Sequence, residues 1–504
     1  MSNYLAERLL RDKPAAAPFL AEPQADGPDW ALTYGEAVEL SGRLAATLVS
    51  IGVRPGERVA ARITKNAEAL LLYLACIRAG AVWLPLNLDY SPDELCYFLR
   101  DAAPRVFVCD PRELATLRPH VKEAQVQLIE TLGSAREPGS LLIMAGIASP
   151  GFVDVPRGSG DLAALLYTSG TTGRAKGAML THLNLASNAA ALAQLWQFSS
   201  RDVLLHALPI FHTHGLFVAT NVTMVAGASI ILTPRFEADR VVALLPRASV
   251  FMGVPTFYTR LLQHPQLSPE ITRPVRLFVS GSAPLSAQTW HDWLQRTGHS
   301  ILERYGMTET NMITSNPFEG ERVPGSVGYP LEGVEVRISG AAKHDTVGGI
   351  EVRGPNVFKG YWEAPEKSAE SFTPDGYFIT GDLGRLTSDG RLYIVGREKD
   401  LVITGGFNVF PKEVEAEIDV IAGVVESAVI GVPHPDFGEG VTAIVVRLEK
   451  AALDEADIDR HLKTRLASYK RPKRVGFVDA LPRNAMGKVQ KAQLRESFRH
   501  LFAQ

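Results

Sequence analysis

The chain has 504 residues, too many for one typical compact domain and enough for two to four, each with a substantial core. Hydrophobic residues make up 46% and charged residues 21%, and 52 basic against 55 acidic side chains leave a net charge of −3. This balance gives no global electrostatic argument for binding nucleic acid or an anionic membrane.

The opening stretch MSNYLAERLLRDKP mixes acids with bases and lacks an apolar signal core, so secretion is not expected and a cytoplasmic location is. From about residue 35 the pattern alternates. A helix is predicted at YGEAVELSGRLAATLVSIG, a strand at RVAARIT, a helix at AEALLLYLACIRAG, and strands at AVWLPLN and RVFVCD. The most apolar window, ALLLYLACIRAGAVWLPLNL, is broken by Arg78, Gly80 and Pro85 and is too short for a convincing membrane span. Cys76, Cys96 and Cys109 are few, odd in number and form no CxxC pair. Neither a disulfide framework nor a Cys-rich zinc site is expected.

A second alternating block starts near Asp161. It predicts strands at LAALLYTS, VLLHALPI, ASIILT, VRLFVS and ILERYG and a helix at NLASNAAALAQLWQF. From Gly325 to Gly396 short strands alternate with Gly-rich turns, as in VEVRIS, GGIEVRG, GYFITGD and GRLYIVG, which predicts a mostly β subdomain. The last hundred or so residues alternate helix and strand in a small α+β unit. Between the two regions GREKDLVITGGFNVF suits a hinge followed by a hairpin. The expected architecture is α/β: a large N-terminal domain, 1–398, of two α/β subdomains plus a β subdomain, and a small α+β C-terminal domain, 399–504. No 20- to 50-residue repeat and no low-complexity tract is found.

The loop YTSGTTGRAK follows the strand at LAALLYTS. Gly170 and Gly173 let backbone amides approach an oxyanion, and Thr and Ser hydroxyls with a Lys add donors, which is phosphate-binding chemistry. It is not a Walker A loop, which would need Gly at Ala175 and Ser or Thr at Gly177. His212 and His214 in FHTHG lie two apart and would share a face on a strand. A zinc pair needs a further ligand, and none has sensible spacing nearby. In GVPTFYTRLLQ, Pro255 suits a first helical turn. Arg260 falls one turn after Thr256 amid Phe257, Leu261 and Leu262, so its face is expected to be partly buried. Lys470, Arg471, Lys473 and Arg474 read as a solvated charge run, with contact to coenzyme A phosphates as the alternative.

The string YTSGTTGRAKGAMLTHLN resembles the signature loop of the adenylate-forming enzymes: acyl-CoA synthetases, adenylation domains and luciferases. The resemblance continues in family order through PIFHTHG, VSGSAPLS, ERYGMTET, GYFITGD, GREKDLVITGGFNVFPKEVE and PRNAMGKVQK, and so covers nearly the full chain. It implies a two-step reaction. A carboxylate attacks the α-phosphorus of ATP, giving an acyl-adenylate and pyrophosphate, and the thiol of coenzyme A then displaces AMP.

The same resemblance assigns roles. Thr168, Ser169, Gly170, Thr171, Thr172, Gly173 and Lys176 would surround the β- and γ-phosphates. Glu309, with Thr168, would associate with Mg²⁺, and Thr308 would meet the α-phosphate. Asp382 and Arg397 would hold the ribose, and Tyr305 would stack on adenine. The segment Gly281, Ser282, Ala283 and Pro284 would line the adenine edge. Glu303, Arg304 and Gly306 belong to the same nucleotide-binding motif. Lys488 would bridge carboxylate, ribose oxygen and α-phosphate during adenylation. The C-terminal domain would be mobile, rotating about Lys399 to bring Gly405 and Gly406 to the coenzyme A channel. Acetylation of Lys488, with an acetyltransferase and a deacetylase as partners, would remove its charge.

HTHG, GVPTFYTR, ERYGMTET and NAMGKVQK together look most like the malonyl-CoA synthetases. By that resemblance Arg260 pairs with the distal carboxylate of malonate, and His212, His214 and Arg304 are further candidates for the pocket. Methylmalonate fits the same pattern. The alternatives are a fatty or aromatic acyl-CoA ligase and a non-catalytic or ATP-hydrolysing nucleotide binder. Neither a tightly bound organic cofactor nor a nucleic-acid or membrane partner is expected.

Overall fold

The computed structural model describes residues 2–24, 28–134, 137–168, 175–341, 343–448, 451–484 and 487–502. Its first sheet has six strands, ordered Leu128–Thr131, Val106–Cys109, Arg58–Arg62, Val82–Pro85, Leu162–Thr168 and Lys176–Thr181. All neighbours are parallel except the last pair, a hairpin that encloses the phosphate-type loop. Val106–Cys109 and Val82–Pro85 are buried at every position, which explains their unbroken apolar runs: a parallel sheet is covered on both faces. The helix Tyr34–Ser50, which packs against the helix Ala67–Arg78, starts at a capping box between Thr33 and Glu36. Ala67–Arg78 is buried along its whole length, so the most apolar window is a core helix. No helix among the described residues is long and apolar enough to cross a membrane.

The second sheet has thirteen strands in one path. Its parallel part runs Ser229–Leu232, Val203–His206, Val250–Gly253, Leu277–Ser280 and Ile301–Met307. Beyond Ile301–Met307 the neighbours become antiparallel, beginning with Asn311–Ser315 and passing through Ser326–Pro330 and Leu392–Arg397 to Phe378–Leu386. The β-rich block is therefore joined to the α/β sheet, with Ile301–Met307 as the junction strand. At the other edge Pro18–Glu22 pairs in parallel with Ser229–Leu232, and Trp30–Thr33 closes the sheet. The alternation read from residue 35 onward does not include these two short strands.

From Val402 the strands belong to a separate five-stranded sheet built on the long hairpin Val424–His434 and Gly438–Arg447. One face packs Val414, Ile418, Ile458 and Leu462, and the other packs Leu481 and Leu494, so this region has cores of its own. The short 3-10 turn Glu398–Asp400 links it to the last strand of the large sheet, where the sequence predicts a hinge. Cys76, Cys96 and Cys109 are buried and unpaired.

Candidate active site

Strand ends bring the motif residues together. Thr168 closes the strand Leu162–Thr168, and Lys176 opens its hairpin partner. The intervening Ser169, Gly170, Thr171, Thr172 and Gly173 lie outside the described residues. Glu309 follows Ile301–Met307 and Thr308, and it is buried at 6% exposure. Its carboxylate accepts from the Tyr361 hydroxyl at 3.0 Å and from Thr168 Oγ1 at 3.5 Å. Burial, the largest influence, raises its pKa. Tyr361 also presents its ring to the Lys176 ammonium, 5.1 Å from the ring centroid. Two charged residues named by motif thus meet at a tyrosine that the sequence reading did not single out. Its signal was the short string KGYW, which carries no chemistry without a partner.

Asp382, on Phe378–Leu386, is buried, accepts from the Tyr305 hydroxyl at 2.6 Å and forms an ion pair with Arg397, whose Nε lies 2.9 Å away. An acceptor-only carboxylate, fixed on two sides, keeps lone pairs for a diol. Gly306 lies so close to Asn311 that a Cβ would stand 2.1 Å from the Asn311 carbonyl oxygen. Glu303 accepts from the Gly325 amide at 2.9 Å, and burial pushes its carboxyl up to about 7.

The acid-recognition region differs from expectation in two respects. His212 and His214 are not on a strand. A turn carries His212, and His214 opens the π-helix His214–Thr220, a geometry enriched at functional sites. The pair therefore shares no strand face, and it joins no metal-ligand group among the described residues. Burial lowers both imidazoles, His212 to about 4, so they are neutral near pH 7. His214 Nδ1 meets Ser282 Oγ at 3.2 Å, while its Nε2 is buried without a partner.

Second, Arg260 is exposed. Its helix, Pro255–Leu262, turns Tyr258 and Leu261 inward, so the expected partial burial of Arg260 does not occur. Arg304 is instead the buried arginine, 4% exposed on the junction strand, with Nε and Nη2 lacking partners. Its guanidinium lies on Gly281, where an added Cβ would stand 2.1 Å from Cζ, so a larger residue there would have to displace the guanidinium. Burial lowers Arg304 to about 9, still charged near pH 7, and its charge in turn depresses His214. Ser282, at φ +71°, follows Gly281; Ala283 is half-buried and Pro284 exposed.

Lys488 reaches this region from the segment between the last strand, Arg474–Val478, and the last helix, Lys491–Phe498. Its amide donates to Asn484 Oδ1 at 3.0 Å, and a Cβ on neighbouring Gly487 would stand 3.1 Å from Thr256 Oγ1. Burial first and Arg397 second lower Lys488 to about 8, with Asp382 opposing. Lys399 sits in the linking turn. Gly405 and Gly406, at φ +56° and +81°, form the exposed turn of the hairpin Val402–Thr404 and Phe407–Val409. Of the basic run, Lys470 pairs with Glu413 at 2.5 Å and Arg471 with Asp459 at 3.1 Å, which favours local ion pairing over phosphate contact. Elsewhere Cys96, His120 and Glu123 approach one another. Arg100 already pairs with Glu123 at 2.6 Å, and burial raises the Cys96 thiol.

Comparison with known proteins identifies the family and the fold. The AMP-binding enzyme family matches residues 8–362, and the AMP-binding enzyme C-terminal domain matches residues 413–488. The crystal structure of ATP-bound MatB from Rhodopseudomonas palustris is 54% identical over 100% of both chains, with a TM-score of 0.95; the apo form gives 0.85. A feruloyl-CoA synthase from Amycolatopsis is 36% identical, covering 93% of this chain and 94% of its own length. The mitochondrial malonate–CoA ligase of Mus musculus is 35% identical, covering 92% and 86%.

Proposed function

The chain belongs to the AMP-binding enzymes and is an AMP-forming CoA ligase, and on that premise we propose that its acid is malonate, with methylmalonate as a near-equivalent. The observation that carries this reading is Arg304: a buried guanidinium with two unpaired donors, close enough to depress the pKa of His214, whose Nε2 is also unpaired. A buried charge without a partner is costly, and a second carboxylate supplies one bidentately. A monocarboxylic acid leaves those donors bare, and such rejection reaches roughly 10⁴-fold. Methylmalonate adds a methyl group worth only about 1–3 kcal/mol, so it is rejected weakly. Arg304 thereby takes the role that the resemblance assigned to Arg260. The malonate–CoA ligase relatives support the same acid.

In this reading Asp382 holds the ribose hydroxyls, and Arg397 and Tyr305 hold Asp382. Lys488, whose charge already interacts with Asp382, stabilises the oxyanions that converge as the acid attacks ATP. Glu309 fits a hard divalent cation: it is a buried carboxylate beside a hydroxyl, in no salt bridge among the described residues. Magnesium carried by the triphosphate would neutralise charge on the leaving pyrophosphate. For transfer to coenzyme A, the C-terminal domain, 399–504, turns about Lys399 and presents Gly405 and Gly406 to the pantetheine arm. Three buried, unpaired cysteines suit a reducing compartment such as the cytoplasm.

The test is coenzyme A-dependent pyrophosphate release across malonate, methylmalonate, succinate, acetate, octanoate, benzoate and ferulate. Malonate and methylmalonate are expected to lead. An aromatic acid in first place would favour a second reading, that of the feruloyl-CoA synthase relative, and would discard the malonate assignment.

A further inference from the structure

We propose that Tyr361 is a positioning residue for the triphosphate end of the site: its hydroxyl fixes the Glu309 carboxylate and its ring face sets the Lys176 ammonium. The inference rests on reading Glu309 and Lys176 as the groups that face magnesium and the β- and γ-phosphates.

The backbone brings Tyr361 there by two sets of hydrogen bonds. Residues 359–362 pair with the strand Lys176–Thr181. Lys359 N donates to Met179 O at 3.0 Å, Met179 N to Gly360 O at 3.0 Å, and Trp362 N to Gly177 O at 2.8 Å. Immediately before them Phe358 N donates to the main-chain oxygen of Glu309 at 2.7 Å. One short segment therefore grips both the strand that begins at Lys176 and the backbone of Glu309. Gly360 adopts φ +134°, outside the range of ordinary residues, and a Cβ there would stand 2.9 Å from Ser368 Oγ. The Tyr361 amide is in turn held by Ser368 Oγ at 2.8 Å. The turn that aims the ring is thus fixed from both sides.

Packing explains the ring and not the hydroxyl. The ring stacks edge-on against Phe358, with centroids 4.9 Å apart, inside a cluster that includes Phe372 and Phe378. A phenylalanine would satisfy that cluster equally well. The hydroxyl of a tyrosine only 9% exposed needs a polar partner, and it has Glu309 at 3.0 Å. Besides Tyr361, the Glu309 carboxylate is held by its own backbone amide and by the longer Thr168 contact at 3.5 Å, so Tyr361 supplies its one short side-chain hydrogen bond among the described residues. A carboxylate that must meet a cation at a fixed distance gains from an orienting hydrogen bond of this kind, as metal ligands do from their outer partners. The ring face toward Lys176, at 5.1 Å, adds a cation–π restraint on the second charged group.

The decisive variant is Tyr361→Phe, which keeps the ring and removes one oxygen. By calorimetry its affinity for MgATP is expected to fall roughly 10-fold, while affinity for AMP, which lacks the β- and γ-phosphates, stays unchanged. Pyrophosphate release should slow by roughly 10- to 100-fold, and half-maximal rate should need more magnesium. Reaction of a supplied acyl-adenylate with coenzyme A should keep its rate. Tyr361→Leu, which also removes the ring face, should lose more MgATP affinity than Tyr361→Phe. Equal loss of ATP and AMP binding, equal slowing of both half-reactions, or no change would overturn the proposal and leave Tyr361 a packing residue. The calorimetry needs no acid, and the rates use whichever acid the unaltered protein activates. A wrong malonate assignment therefore leaves this test intact.

Discussion

Lys488 meets two opposing demands on its ionisation. In its proposed role, adenylation needs its positive charge where oxyanions converge, yet burial and the neighbouring Arg397 hold its pKa down to about 8, with Asp382 pulling the other way. A lowered lysine pKa means that the charged form dominates below about pH 8 and is lost above it. The kcat/KM for ATP in the adenylation half-reaction, which reports the free enzyme, should therefore decline above about pH 8, approaching tenfold per unit. Lys488→Ala should abolish adenylation and still pass a supplied malonyl-adenylate to coenzyme A. Acetylation would remove the same charge and act as an off switch. A parallel decline of both half-reactions, followed by stopped-flow across pH 6.5 to 9.5, would count against this division. Lys488, Glu309 and Asp382 could be named as candidates because each sits in a contiguous motif. Tyr361 was not, because its partner stands 52 positions away and its meaning comes from a hydrogen bond the sequence does not display.

Two elements decide which arginine is placed for the proposed contact with the acid. The helix Pro255–Leu262 is amphipathic, and with Tyr258 and Leu261 turned to the core the position between them, Arg260, is left to solvent. The junction strand Ile301–Met307 is buried on both faces through Tyr305, so Arg304 has no route to water. Arg304→Gln should lower kcat/KM for malonate by at least roughly 100-fold and narrow its advantage over acetate, because a bidentate charged contact is lost. Arg260→Ala should cost less than about tenfold, in line with a solvent-facing side chain. The reverse ranking, from steady-state pyrophosphate assays, would return the role to Arg260. Periodicity gave the alternating helices and strands, since each buries its own residues locally. It could not show that Pro18–Glu22 joins Ser229–Leu232, that the β-rich block shares a sheet with the parallel strands, or that FHTHG enters a π-helix. Those features depend on pairing across distant parts of the chain, as with Leu20 beside Ile230.

At the scale of the whole molecule the C-terminal region is docked in the arrangement that the proposed function assigns to the first half-reaction. Lys488 feels Asp382, Gly487 abuts Thr256, and the chain superposes better on the ATP-bound relative, at TM-score 0.95, than on its apo form, at 0.85. Lys412 ties this arrangement together. It begins the first helix of the C-terminal region, Pro411–Asp419, yet its ammonium donates to the Ile394 carbonyl at 3.0 Å, across the Glu398–Asp400 turn, and interacts with the Glu303 carboxylate. The proposed rotation about Lys399 would carry Lys412 with the C-terminal region and leave Ile394 and Glu303 behind, so this contact would exist in one arrangement only. Removing it should weaken that arrangement by the worth of a charged hydrogen bond, about 1.5–3 kcal/mol before solvent replaces the lost partner. Lys412→Met, which keeps the length of the side chain, should therefore slow adenylation several-fold in single-turnover assays. Transfer from a supplied acyl-adenylate should proceed at least as fast as in the unaltered protein, because the competing arrangement is populated more often. If Lys412→Met slowed both steps alike, the lysine would serve the stability of the interface and not the choice between its two positions.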